Sequence, residues 1–172
     1  MSRQKTTINI VKLGCSKNLV DSEVLSGQLK ANDIEVLHDQ NSLADVVIIN
    51  TCGFIFDAKQ ESIDVILQFA SEKKKGKLER LIVMGCLSQR YKKDLLKEIP
   101  EVDAFYGVDQ LEDIISDLGN RYYPLLKSNR NITTGHFAYL KIAEGCNRQC
   151  SFCAIPLIRG KHVSRDKEEI LD

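Results

Sequence analysis

Three thiols crowd into eight residues near the end of the chain, in Leu140-Lys-Ile-Ala-Glu-Gly-Cys146-Asn-Arg-Gln-Cys150-Ser-Phe-Cys153. One short loop, closed by Ile155-Pro156, can wrap all three around a single metal centre. The spacing CxxxCxxC supplies three ligands where a closed structural zinc site or a ferredoxin-type cluster takes four. It therefore implies an open coordination position, with a three-cysteine zinc loop or unligated thiols as the plain alternatives. Cys15, Cys52 and Cys86 are far apart in sequence, yet each follows an apolar run and has a glycine beside it. A single cysteine at a strand end is usually a small buried hydrophobe. Three at equivalent places point instead to a second metal site.

The elements that must position these thiols are legible as alternating strands and helices. Thr6–Leu13 reads as a strand, followed by Leu19, Val20, Val24, Leu25 and Leu29 at helical spacing, with Ser16 as N-cap. Ile34–His38 is a short second strand. Asp45-Val-Val-Ile-Ile-Asn50 is nearly continuous apolar sequence, the pattern of a strand buried on both faces of a parallel sheet. Asp57 and Gln60 form a capping box for a helix that buries Ile63, Ile66, Leu67 and Ala70. That helix closes at Lys73-Lys-Lys-Gly76, with cations at the negative end of its dipole. Arg80–Met84 is a fourth strand, Ser88 caps a short helix through Tyr91, Leu95 and Leu96, and Ala104–Val108 is a fifth strand. Asp109 and Glu112 begin a last helix carrying Leu111, Ile114, Ile115 and Leu118.

Five such alternations argue for an α/β fold: an open five-stranded parallel sheet in the flavodoxin-like order 2-1-3-4-5, flanked by helices. In that order strands one, three and four are neighbours about 4.8 Å apart, and all their C-termini lie on one edge. Cys15, Cys52 and Cys86 then converge within about 10 Å, at the crevice where open α/β sheets place ligands. Residues 1–119 are expected to form this domain. Residues 120–136, where Asn, Gly, Pro and scattered charge break the strand–helix rhythm, read as a linker, and Phe137–Ile142 as a strand that begins a second domain over 137–172.

Composition narrows the function. At 172 residues the chain can bury one good core and begin another, and its 43% hydrophobic and 28% charged content is that of an ordinary globular protein. Lys+Arg and Asp+Glu both number 24, without a dense basic stripe, so the footprint of a phosphate-backbone binder is missing. No apolar run approaches the ~20 residues of a membrane span, and Met1–Thr7 has no signal-like apolar region behind its charges. A cytoplasmic setting is expected, where six cysteines serve as ligands, reactive thiols or core residues rather than disulfides.

CxxxCxxC with Phe152 before its last cysteine resembles the signature of the radical S-adenosylmethionine (SAM) enzymes. The longer phrase Ala143-Glu-Gly-Cys-Asn-Arg-Gln-Cys-Ser-Phe-Cys-Ala-Ile-Pro-Leu-Ile-Arg-Gly-Lys161 is similar to the methylthiotransferase family within them. Leu13-Gly-Cys-Ser-Lys-Asn-Leu-Val-Asp-Ser-Glu23, Asn50-Thr-Cys-Gly-Phe54 with Glu61-Ser62, and Met84-Gly-Cys86 look like that family's three N-terminal cysteine motifs. The form of the first is similar to the branch that modifies a small-subunit ribosomal protein, although Ser16 stands where that branch often has proline. A tRNA-modifying branch and a non-enzymatic zinc-binding or electron-carrying Fe–S module are the alternatives.

The resemblance implies two 4Fe–4S clusters, each with an open iron. Cys146, Cys150 and Cys153 would hold the one that chelates SAM, with Phe152 near the adenine. Cys15, Cys52 and Cys86 would hold an auxiliary cluster that presents a methylated sulfur. A 5′-deoxyadenosyl radical would remove hydrogen from the β-carbon of an aspartate, whose C–H bond has no accessible pKa for acid–base chemistry. The partners implied are the ribosomal protein and an electron-donating reductase. A radical-SAM barrel needs on the order of 200 residues, and the chain ends 19 positions after Cys153. A truncated barrel, inactive by itself, is therefore expected.

Lys17, Asp21 and Glu23 could reach a cofactor, but such charges on an opening helix more often face solvent. His38, His136 and His162 are isolated. Asn147 and Arg148 are candidate contacts for a cofactor or partner. Arg159-Gly160 belongs to the family phrase without an assignable role.

Overall fold

The computed structural model describes residues 6–38, 42–124 and 130–171, so Met1–Lys5 and part of the 120–136 linker lie outside the described residues. Alternation builds the first part of the chain: β1 (Thr7–Lys12), α1 (Ser16–Lys30), β2 (Glu35–Leu37), β3 (Val46–Thr51), α2 (Phe56–Lys74), β4 (Arg80–Gly85), α3 (Cys86–Glu98), β5 (Ala104–Tyr106) and α4 (Leu111–Asp117). The five strands are all parallel, in the expected order β2-β1-β3-β4-β5.

The apolar run of β3 makes it the central strand, and every one of its residues is buried. Alternate side chains serve opposite faces, as a strand requires. Val47 and Ile49 pack with Val11, Leu81, Val83, Ile66 and Phe69 under α2 and α3. Ile48 packs with Ile8, Ile10, Ile82, Leu25, Leu29 and Ile114 under α1 and α4. Register pairs Lys12 with Asn50 and Thr51 with Gly85, so β1, β3 and β4 end at one edge.

Local capping differs from the expected pattern. Ile55 rather than Asp57 stands at the N-cap of α2, without a side-chain cap, and Asp57 falls in the first turn where it still complements the dipole. Gln60 donates to Asp64 one turn on instead of closing a capping box. The buried stripe of α2 is Ser62, Ile66, Phe69 and Ala70, and Leu67 is exposed. Cys15 takes the N-cap place of α1 expected for Ser16. Gln110, whose Oε1 accepts from Gly107 N–H at 2.7 Å, stands at the N-cap of α4.

The later residues take a different form from the expected strand. Phe137–Ile142 has no strand partner among the described residues, and an unpaired strand leaves its backbone groups to other partners. Pairing occurs instead between β6 (Ala143–Glu144) and β7 (Val163–Ser164), which are antiparallel. Helices α5 (Ile155–Arg159) and α6 (Lys167–Leu171) complete the order. No helix among the described residues is long and apolar enough to cross a membrane.

The described part of the linker is tied to α1. Gln28 donates to Tyr123 O at 2.9 Å and accepts from Tyr123 N–H at 2.9 Å, and Asn32 does the same with Arg121. Glu23 accepts from the backbone and hydroxyl of Thr133 at 2.8 and 3.0 Å. These ties explain why α1 buries Glu23 and Gln28 as well as its apolar stripe. It lies between the sheet on one side and later residues on the other.

Candidate metal centre

β1, β3 and β4 each deliver one cysteine to the edge where they end. Cys15, at the N-cap of α1, is exposed, whereas Cys52, just past β3, and Cys86, the first residue of α3, are buried. Helix α3 thus starts at the cysteine, before the expected Ser88 cap. Two glycines let these turns touch. Gly14 has φ +80°, and a Cβ there would lie 2.6 Å from Cys52 Cβ and 3.1 Å from its Sγ. A Cβ on Gly53 would lie 2.8 Å from the backbone of Cys86. The first turn therefore rests on the second cysteine, and the second turn on the third.

Asn18 joins the group from inside α1. Its Nδ2 donates to Leu13 O and Thr51 O at 2.9 and 3.0 Å, tying the ends of β1 and β3 together. Its Oδ1 lies 3.9 Å from Cys15 Sγ and 3.8 Å from Cys86 Sγ. Cys52 is held by Ser62, whose Oγ accepts from Cys52 N–H at 3.1 Å. Burial pushes the Cys86 thiol up in pKa. Arg159 opposes this, and the neighbouring Cys52 and Cys15 add to the rise.

The second trio is arranged more loosely. Cys146 and Cys153 are half-buried and Cys150 is exposed. Cys146 N–H donates to Gly160 O at 3.0 Å and Cys153 N–H to Cys150 O at 3.1 Å, which fixes the loop's ends. Arg148 N–H points at Cys146 Sγ over 3.5 Å, and Asn147 Oδ1 accepts from His162 N–H at 2.9 Å. Phe152 is 89% exposed, with its ring free on the surface. All six thiols are uncrosslinked. Among the described residues, no group of three or more Cys, His, Asp or Glu side chains is close enough to share a single metal ion. Three free thiols on one rim are the donor type that holds iron–sulfur clusters, and the backbone beneath them comes close only where side chains are missing.

The two trios are neighbours. Cys86 packs with Val108 and Ile158, and with Ala154 directly after Cys153. Arg159, whose side chain is only 2% exposed, reaches from α5 into the first site. Its Nη2 donates to Asn18 Oδ1 at 2.8 Å and lies 3.5 Å from Cys86 Sγ, while Nη1 meets Glu144 at 2.8 Å and Asp21 at 3.2 Å. Lys141 bridges Asp21 and Glu144, and Lys17 reaches Glu144 at 2.8 Å. Burial would raise the Glu144 carboxyl, but hydrogen bonds from Lys141 and Lys17, with the Arg159 charge, hold it at about 2. Burial likewise works against charge on Arg159 and Lys141, and their carboxylate neighbours outweigh it. Removing one partner of a buried pair costs about 3–5 kcal/mol, because the other charge is left uncompensated.

Asp21 and Glu23 are thus buried rather than solvated, at 6% and 2% exposure, and Lys17 is paired at the rim. Their partners lie more than a hundred residues away, beyond any local pattern. Among the isolated histidines, His38 Nε2 lies 3.1 Å from Ser26 Oγ and His162 Nε2 lies 3.3 Å from Ser164 Oγ. Asn18, Ser62 and Arg159 are the site residues that residue-type reasoning passed over, although all three stand inside the quoted cysteine phrases.

Residues 7–107 match the family described as "Uncharacterized protein family UPF0004". The chain belongs to this family. The UPF0004 match ends just past β5 and takes in Cys15, Cys52 and Cys86. Similar curated proteins named "Ribosomal protein uS12 methylthiotransferase RimO" come from Bacteroides fragilis (strain YCH46), 56% identical over 171 residues, and Cytophaga hutchinsonii, 55% identical over 170 residues. A third, from Phocaeicola vulgatus, is 54% identical over 171 residues. Each match covers 98% of this chain and 39–40% of the relative. The chain therefore spans about 40% of the length of these curated relatives.

Proposed function

We propose that this chain is the N-terminal part of a radical-SAM methylthiotransferase that places a methylthio group on the β-carbon of an aspartate in a small-subunit ribosomal protein. The observation that carries the reading is the 54–56% identity, over nearly the whole chain, to proteins named ribosomal protein uS12 methylthiotransferase. Convergence of the first trio on one rim supports the chemistry. Cys15, Cys52 and Cys86 would hold an auxiliary 4Fe–4S cluster, and Cys146, Cys150 and Cys153 a second one that binds SAM beside Phe152. Bound together, these groups would supply a radical able to break an aliphatic C–H bond and a sulfur to replace the hydrogen.

The chain's own residues supply placement. Gly14 and Gly53 leave room for backbone to close on the first trio, Asn18 ties its strand ends, and Ser62 fixes the backbone of Cys52. Domains over 1–119 and 137–172, a cytoplasmic setting, a reductase partner and inactivity of this piece alone belong to the same reading.

Anaerobic reconstitution with iron and sulfide tests it. Replacing Cys15, Cys52 and Cys86 together by alanine should remove about four irons per chain, and so should replacing Cys146, Cys150 and Cys153. Stoichiometric zinc without iron would overturn the cluster assignment. Methylthiolation of tRNA but not of the ribosomal protein, by the longer protein containing this chain, would overturn the substrate.

A further inference from the structure

We infer that Arg159 is a positioning residue that locks the second cysteine loop onto the first site and sets the reduction potential of the group held there. The inference rests on the cluster reading above. Arg159 and Glu144 flank the loop of Cys146, Cys150 and Cys153, and they bond to each other at 2.8 Å. The same guanidinium enters the first site, touching Asn18 Oδ1 at 2.8 Å and Cys86 Sγ at 3.5 Å. One buried cation at one end of the loop therefore contacts both the other end, at Glu144, and a cysteine of the other trio.

Its electrostatic consequence has a definite sign. Arg159, Lys141 and Lys17 face Asp21 and Glu144, three cations against two carboxylates. Adding an electron to a group on Cys86 places negative charge beside this net positive set, at a site where water screens little. Arg159 therefore favours the reduced state. Neutralising it lowers the potential, and neutralising Glu144 raises it.

The test uses the 172-residue chain with Cys146, Cys150 and Cys153 replaced by alanine, so that only the first trio can take up iron. After anaerobic reconstitution, dithionite titration followed by EPR gives the midpoint potential. Relative to this parent, Arg159→Gln should shift the one-electron equilibrium tenfold or more toward the oxidised state, equivalent to 59 mV. Arg159→Lys should recover most of that shift, and Glu144→Gln should move the midpoint upward. A purely structural role predicts no such pair of opposite signs. An unchanged midpoint in Arg159→Gln at full iron content would overturn the inference. If Arg159→Gln holds no iron, Glu144→Gln decides, and a midpoint equal to the parent's overturns it. If the parent itself takes up no iron, the cluster reading falls. Hydrogen exchange on the iron-free, unsubstituted chain then decides the locking role: Arg159→Gln must deprotect residues 143–159, and unchanged protection refutes it.

Discussion

Gly14→Ala is the sharpest perturbation of the first site, because it incurs two separate costs. At φ +80° an alanine carries the left-handed penalty of about 1–2 kcal/mol. Its Cβ would also stand 2.6 Å from Cys52 Cβ, well inside the ~3.5–4.0 Å of ordinary carbon contact. Cys52 is only 7% exposed and is held by Ser62, so it has little room to retreat, and overpacking of this kind costs about 1–3 kcal/mol more. The expected total is about 2–5 kcal/mol, measured as a lowered urea midpoint under reducing, metal-free conditions. Gly76→Ala is the matched control: φ is +72°, and nothing lies within 4 Å of its added methyl, so only the first cost applies. Iron uptake should fall in Gly14→Ala and persist in Gly76→Ala. Equal destabilisation with equal iron in the two variants would refute the claim that Gly14 is required by its approach to Cys52.

Three further outcomes are expected. Ile48→Ala, at a fully buried position of the central strand, should lower stability by about 2–5 kcal/mol without changing the slope of the urea transition. Gln28→Ala removes both bonds to Tyr123 and should cost about 1–3 kcal/mol, with faster hydrogen exchange at residues 121–123; unchanged exchange would show that the linker is held by other contacts. Tyr106 is pushed up to about 12 by burial and by its hydrogen bond to Asp117. A group raised in the folded state stabilises fully below its unfolded pKa near 10 and loses that contribution as pH climbs toward 12. The urea midpoint should therefore fall across that window, and Tyr106→Phe should flatten the fall.

The sheet was readable in advance because its signals are local and strong. The run Val46–Ile49 could only be satisfied by burial on both faces, and strand–helix alternation restricted the topology enough to place three distant cysteines on one rim. Capping was less legible. Asp57 and Gln60 match a capping box, yet the helix starts two residues earlier, with Ile55 at its N-cap, and Gln60 finds Asp64 instead. The polar side of α1 was the largest surprise. Asp21 and Glu23 look solvated to any pattern that compares near neighbours, since Arg159, Lys141 and Thr133 come from the far end of the chain. Arg159 itself carried no periodic or compositional signal.

Because Cys15, Cys52 and Cys86 follow three different strands, they would become one ligand set only once β1, β3 and β4 have paired. A nascent chain emits the first thiol long before the third exists, and a scavenged ion meeting either alone finds a single weak donor. The other trio, contiguous in sequence, has no such safeguard. Under the cluster proposal, the sheet would thus gate cofactor loading in biosynthesis, admitting it only after β1, β3 and β4 have paired.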